Sequence, residues 1–176
     1  MAFFNSNFDY FIYIRMYSRQ KAINYAYKWW NNRNPYFYNF DNIGGDCTNF
    51  VSQCLFYGGI EMDYSTLGWY YVNQYNRAPA WTGVDAFFNY STKNNHPVGV
   101  RTKVANINEV AEGDVIQMMQ IGEDIYHHTM LITKILGKHN LENILVTCHT
   151  FDEKDKALCD YSIKNLRFLK VLNDGI

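Results

Sequence analysis

The run Gly44-Gly45-Asp46-Cys47-Thr48-Asn49-Phe50-Val51-Ser52-Gln53-Cys54-Leu55-Phe56-Tyr57-Gly58 constrains this chain more than any other stretch. Cys47, Phe50, Val51, Cys54, Leu55 and Gly58 recur at i, i+3, i+4, i+7, i+8 and i+11, the spacing of one helix face. Thr48, Asn49, Ser52 and Gln53 fall largely on the other side, which predicts an amphipathic helix. Gly44 and Gly45 can take backbone angles closed to other residues, so the chain can bend sharply into that helix. Asp46 is a candidate N-cap. Cys47 then sits in the first turn, where unpaired N–H groups and the helix dipole favour negative charge. The thiolate is the reactive form of cysteine, and a helix N-terminus lowers a thiol pKa. The same residue also reads as a small buried core side chain, and this stretch alone does not choose between the two.

A chain of 176 residues suits one domain with a substantial core. The net charge of -1 gives no general pull toward nucleic acid or an anionic membrane surface. No stretch approaches the length of about 20 apolar residues that a spanning helix needs. The aromatic opening Met1–Tyr10 has neither a basic region nor an uninterrupted apolar run, so no signal peptide is read. By default that reading is cytoplasmic, or cell wall or extracellular if the chain is exported by another route or a signal has been removed. The four cysteines do not form a disulfide framework: Cys47 and Cys54 lie two turns apart, roughly 10 Å along a helix axis. Neither CxxC nor zinc-knuckle spacing occurs.

In chain order, Ser18 caps a predicted helix over 17–32 that Asn34-Pro35 stops. The Cys47 helix ends at Gly58-Gly59. Residues 60–80 show no period and read as a long surface loop, and Thr82 opens a helix to about Lys93. Strands follow at 98–104, 114–119, 127–135, 143–150 and 166–172, with 152–159 read as a charged insertion. Helices first and an antiparallel sheet afterwards predict an α+β fold. The expected organisation is an N-terminal extension over 1–16 and a single domain over 17–172.

His96, His127, His128, His139 and His149 are the groups that carry a proton near neutrality. His96 and His139 belong to polar turns. His127 and His128 open a strand, where consecutive residues face opposite sides, so one of the two points at the Cys47 helix. A hairpin from 128 to 149 sets His149 beside that histidine, which gives a nucleophile, a base and an orienting group. Zinc held by Cys and two His is the rival chemistry, but the ligands are scattered singly, so no metal and no cofactor are expected.

Gly-Gly-Asp-Cys-Thr-Asn-Phe-Val-Ser-Gln-Cys-Leu at 44–55 resembles the nucleophile motif of the putative amidase domain family of Gram-positive bacteria. That family is related to the NlpC-like and CHAP-like cell-wall peptidases of the papain-like fold. Three further segments resemble it in order. Residues 17–26 are similar to its opening helix, and Gly113–Gln117 followed by His128–Ile132 to its base strand. Cys148-His149-Thr150 with Asp152 is similar to its third strand. Together the resemblance covers residues 17–172.

The resemblance implies a papain-like α+β cysteine amidase or peptidase. In it Cys47 is the nucleophile, His128 the general base and later acid, and His149 the residue that holds the base. Asp46 would recognise a substrate amine, and the Cys47 backbone N–H would meet the oxyanion. The substrate implied is a bacterial cell-wall peptide. Trp69, Tyr70, Tyr71 and Trp81 are candidates for the groove walls, with packing under a loop as the other reading. The alternative class is a non-catalytic domain that keeps the fold and binds peptide or cell wall.

Overall fold

Ser18 accepts a hydrogen bond from the Lys21 N–H and so starts helix α1 (Arg19–Trp29), as its sequence position predicts. The α1 face of Ala22, Ile23, Tyr25 and Ala26 is buried, and α1 packs on α2 (Cys47–Tyr57). Gly58, just past α2, lies where an added Cβ would stand 2.5 Å from the Tyr17 ring, and its carbonyl accepts the Ser18 N–H. That close approach needs glycine and seats the α1 start on the α2 end. The computed structural model describes residues 16–172. The N-terminal extension expected over 1–16 lies, but for Met16, outside the described residues.

A small hairpin, β1 (Tyr71–Asn73) and β2 (Asn76–Arg77), and the short helices α3 (Pro79–Thr82) and α4 (Val84–Ser91) follow. The stretch 60–80, expected as a surface loop, is therefore structured. An isolated bridge between Asp63 and Trp69 closes one turn. The Asn73 side chain accepts the N–H groups of Tyr75 and Asn76 and closes the next. These devices are made by single polar side chains and leave no hydrophobic period to read.

The remaining strands are β3 (Thr102–Ala105), β4 (Val115–Gln120), β5 (His128–Ile135), β6 (Ile144–Cys148), β7 (Glu153–Ala157) and β8 (Ile163–Val171). They form one sheet in the order β3-β8-β4-β5-β6-β7, every neighbour antiparallel. The architecture is thus α+β, with the helices first in the chain. The charged insertion expected at 152–159 is corrected to the edge strand β7. Glu153, Lys154, Asp155 and Lys156 give that strand the charge that protects an open edge, and charge hides its strand character in the sequence.

Side chains alternate across the sheet. Val115, Leu131 and Leu169 join the core under the helices, while Ile116, Met118, Met130, Ile132, Val146 and Cys148 build a second core on the opposite face. Helix α2 lies against β5 and β6 on the first face. Arg19 ties α1 to the same frame through a 2.6 Å ion pair with the buried Asp114 carboxylate, just before β4.

Candidate functional site

Helix α2 is buried on all sides, not on one, from Cys47 to Leu55. Cys47, Phe50, Val51, Cys54 and Leu55 are buried as their spacing predicts, but so are Thr48, Asn49, Ser52 and Gln53. Each of these polar groups has a partner inside, which is the condition for burying it. Thr48 Oγ1 lies 2.8 Å from Thr129 Oγ1 on β5. Asn49 donates to the Tyr38 carbonyl and to Asp46, and its Oδ1 accepts the Trp81 indole N–H at 2.9 Å. Ser52 Oγ accepts the Trp69 indole N–H, and Gln53 Oε1 accepts the Tyr25 hydroxyl. The absence of any charged residue from α2 is the sequence signal for this burial.

Cys47 opens α2 and is itself buried, 4% exposed. Gly44 and Gly45 carry positive φ values of 86° and 97°, the left-handed angles that bend the loop into the helix. The first helical bond runs from Phe50 N–H to the Asp46 carbonyl, so the N–H groups of Cys47, Thr48 and Asn49 come before it. Asp46 holds the N-cap position without capping by its side chain. The Cys47 Sγ stands 3.9 Å from Thr48 Oγ1 and 3.9 Å from the His127 carbonyl. Burial pushes its thiol pKa up, against the Thr129 and Thr48 backbone N–H groups and the Thr48 hydroxyl, which favour the thiolate.

The Asp46 carboxylate points inward. Oδ1 accepts the Phe40 N–H at 3.0 Å and the Asn49 amide at 2.8 Å. Oδ2 lies 2.6 Å from His149 Nδ1 and 3.6 Å from Arg33 Nε. Expected to meet a substrate amine, Asp46 is instead occupied by the chain's own groups. His149 is equally enclosed: Nε2–H donates to the Trp29 carbonyl at 2.8 Å, and the ring stacks on Phe50 with centroids 3.8 Å apart. Both of its ring nitrogens are therefore used by groups other than His128. Asp152, at the turn into β7, pairs with Arg33 at 2.8 Å.

His128 shares its side of β5 with Met130 and Ile132, whose side chains belong to the second core. Its Nε2 lies 3.3 Å from Cys148 Sγ, and Cys148 Sγ lies 3.7 Å from the Tyr161 hydroxyl. Cys47 and His128 are not hydrogen-bonded to each other; the thiol rests on the β5 backbone at its His127 end, while the imidazole faces Cys148. Burial, first, and the neighbouring His127 and Lys156 lower the His128 pKa to about 4, so the ring is neutral at neutral pH. His127 is half-buried, and its Nδ1 is buried with no hydrogen-bond partner among the described residues. The sequence places Cys148 on the strand that resembles the family's third strand but gives it no role, because a lone cysteine on a strand carries no spacing signal.

Trp69 and Trp81, considered as groove walls, lie in the core with their rings 4.7 Å apart, and both indole N–H groups donate to α2. Tyr71 is buried too, and its hydroxyl accepts the Tyr38 N–H. Tyr70 keeps exposed surface and stacks on Tyr64 at 5.2 Å. All four cysteines are free. Among the described residues no group of three or more His, Cys, Asp or Glu is gathered as a metal would need. No helix among them is long and apolar enough to cross a membrane.

A buried thiol at the start of a central helix, set against an antiparallel sheet that carries two buried histidines, defines an α+β protein with a candidate thiol centre. The family model described as "Putative amidase domain" matches residues 16–170, and the chain belongs to that family. Family membership points to amidase-type hydrolysis. The chain is also similar to the uncharacterized protein YhbB of Bacillus subtilis. The two are 34% identical over 142 residues, which are 78% of this chain and 43% of that relative, so the chain spans less than half of the relative's length. No solved structure matches the chain.

Proposed function

We propose that residues 17–172 are a single papain-like thiol amidase domain, behind an extension over 1–16, that cleaves an amide bond in a bacterial cell-wall peptide. Cys47 is the nucleophile and His128 its base. The observation that carries the reading is the position of Cys47 as first residue of α2. Burial raises its thiol pKa, and the Thr129 and Thr48 backbone N–H groups offset part of that rise. The family match supports amide hydrolysis as the reaction class.

In this mechanism Cys47 Sγ attacks the amide carbonyl as its proton passes to the neutral His128 imidazole. The oxyanion is met by N–H groups of the first turn of α2 that precede the first helical bond, foremost that of Cys47. His128 then protonates the leaving amine, and water releases the acyl group from the sulfur. Proton transfer needs the His128 ring, which meets Cys148 on the second-core side of β5, to come within reach of the thiol. His149 and Asp46 serve this centre indirectly, by fixing the start of α2 against the end of β6. Tyr70 is the groove candidate that retains surface for a substrate.

Cys47→Ala and Cys47→Ser test the proposal on purified muropeptides. Loss of hydrolysis by a factor on the order of 10³ or more is expected, together with iodoacetamide labelling of Cys47 in the wild-type chain. Full hydrolysis by either variant refutes it. A second reading, a non-catalytic peptide- or wall-binding domain, is favoured by the burial of Cys47 and its lack of a bond to His128. That reading requires muropeptide binding without turnover, unchanged in Cys47→Ser.

A further inference from the structure

The proposed base has a neighbour that no other part of the site explains. Among the described residues the His128 ring has one hydrogen-bonding contact, to Cys148, at 3.3 Å from Nε2. Cys148 Sγ in turn meets the Tyr161 hydroxyl at 3.7 Å. His149 is committed to Asp46 and to the Trp29 carbonyl. The third group of a nucleophile–base–orienter set normally holds the imidazole in one tautomer, and here the atom in that place is a sulfur.

We infer that Cys148 is the positioning residue for His128, its sulfur accepting the Nε2–H and thereby leaving Nδ1 as the basic nitrogen. The inference rests on the proposed roles of Cys47 and His128. The hydrogen-bond chain balances: Nε2–H donates to Sγ, the S–H donates to the Tyr161 oxygen, and the tyrosine keeps its own proton. No proton is transferred along it. Burial holds both members uncharged, with the Cys148 thiol pushed up to about 12 and the imidazole down to about 4. The opposite arrangement, S–H donating to Nε2, would put the free lone pair against a thiol too weakly acidic to be useful, with Nδ1 protonated and unable to act as base. The charged or titratable groups facing the pair are His127 before β5, Glu153 and Lys156 on β7, Tyr161 after β7 and Cys47 on α2. Ser preserves a short polar acceptor at this place and Ala does not, which separates positioning from mere packing.

The test uses the full chain in three forms: wild type, Cys148→Ser and Cys148→Ala. Ring ¹⁵N shifts report the His128 tautomer, and peptide-resolved iodoacetamide labelling reports Cys47 against pH. We expect the Nε2-protonated tautomer in wild type and in Cys148→Ser. In Cys148→Ala we expect a mixture of tautomers and a fall in Cys47 labelling at neutral pH of about tenfold, one unit of pH in the profile. A wild-type ring protonated at Nδ1, or a Cys148→Ala chain with wild-type tautomer and labelling, overturns the inference. The wild-type tautomer is read without any substitution, so poor folding of Cys148→Ala does not shield it. His128→Asn separates the two levels: if it labels at the wild-type rate while the wild-type tautomer is fixed as expected, the proposed role of His128 as base fails and the contact from Cys148 stands.

Discussion

Asp46 Oδ2 stands 2.6 Å from His149 Nδ1, with both side chains 1% exposed. This contact joins the residue before the candidate nucleophile to the end of β6. Through the remaining bonds of the two residues it also gathers Phe40, Asn49 and the Trp29 carbonyl at the end of α1. A carboxylate at an N-cap position usually serves its own helix; this one serves the joints around it. Removing the Asp46 carboxylate leaves the buried His149 Nδ1, the Phe40 N–H and the Asn49 amide without this acceptor, at a cost of about 1–3 kcal/mol for a stranded buried group. Asp46→Ala should lose stability on that scale in urea unfolding, and Asp46→Asn less, since it still accepts the Phe40 N–H. A loss in Asp46→Ala no larger than at an exposed aspartate such as Asp124 would mean the contact is incidental.

Thr48 and Thr129 tie the first turn of α2 to β5 through hydroxyls 2.8 Å apart, and Thr129 also accepts the Gln117 amide. Thr48→Val and Thr129→Val each strand a buried hydroxyl or amide, at about 1–3 kcal/mol apiece. Replacing both removes the need for the pair, so the double variant should be less destabilised than the sum, with a coupling of about 0.5–1.5 kcal/mol. Additive losses in a double-mutant cycle would show that the two hydroxyls do not interact.

The order of helices and strands was legible because period and β-branching carry it: α2 begins at Cys47, and β4, β5, β6 and β8 fall within a few residues of their expected places. What escaped was carried by paired polar groups. The buried polar side of α2 reads as a solvent face until Thr129, Trp69, Trp81 and Tyr25 are seen to bond it. The charge that marks β7 as an edge strand also disguises it as a loop. His127 and His128 illustrate the limit at the site. Their position at the start of a strand is legible, but the neighbour of the His128 ring is Cys148, twenty residues away in sequence.

Trp81 is fully buried, beside Trp69 and bonded to Asn49. If it forms core and not groove, Trp81→Ala should destabilise by about 3–5 kcal/mol, and at a temperature where the variant remains folded it should bind muropeptides as wild type does. A near-neutral effect on unfolding coupled to lost binding would return Trp81 to the groove.

Gly45 has φ of 97°, and a Cβ added there would stand 3.2 Å from Thr150 Oγ1, the hydroxyl that accepts the Asp46 N–H. Gly45→Ala meets both left-handed strain, about 1–2 kcal/mol, and a displaced partner. Gly44 is also left-handed, but its Cβ direction is open, so Gly44→Ala meets strain alone. Thermal unfolding should rank Gly45→Ala below Gly44→Ala, and iodoacetamide labelling of Cys47 should change in the former and stay near wild type in the latter. Equal effects at the two positions would dismiss the Thr150 contact as a constraint on the loop.

His128 gives the fold a defined dependence on acid. Its folded pKa, about 4, lies below its ordinary value of 6.5, so between those values the unfolded chain binds the proton that the folded chain refuses. Stability from this group is complete above pH 6.5 and is lost as pH falls toward 4, by about 3 kcal/mol in total. His128→Asn abolishes the titration without adding a charge. Urea unfolding of the two proteins at several pH values should therefore give curves that converge as pH falls across this window, after allowance for the carboxylates both share. If the difference between them is flat from pH 6.5 to 4, the ring is not held neutral by burial, and the neutral base at the centre of the proposed mechanism loses its physical ground.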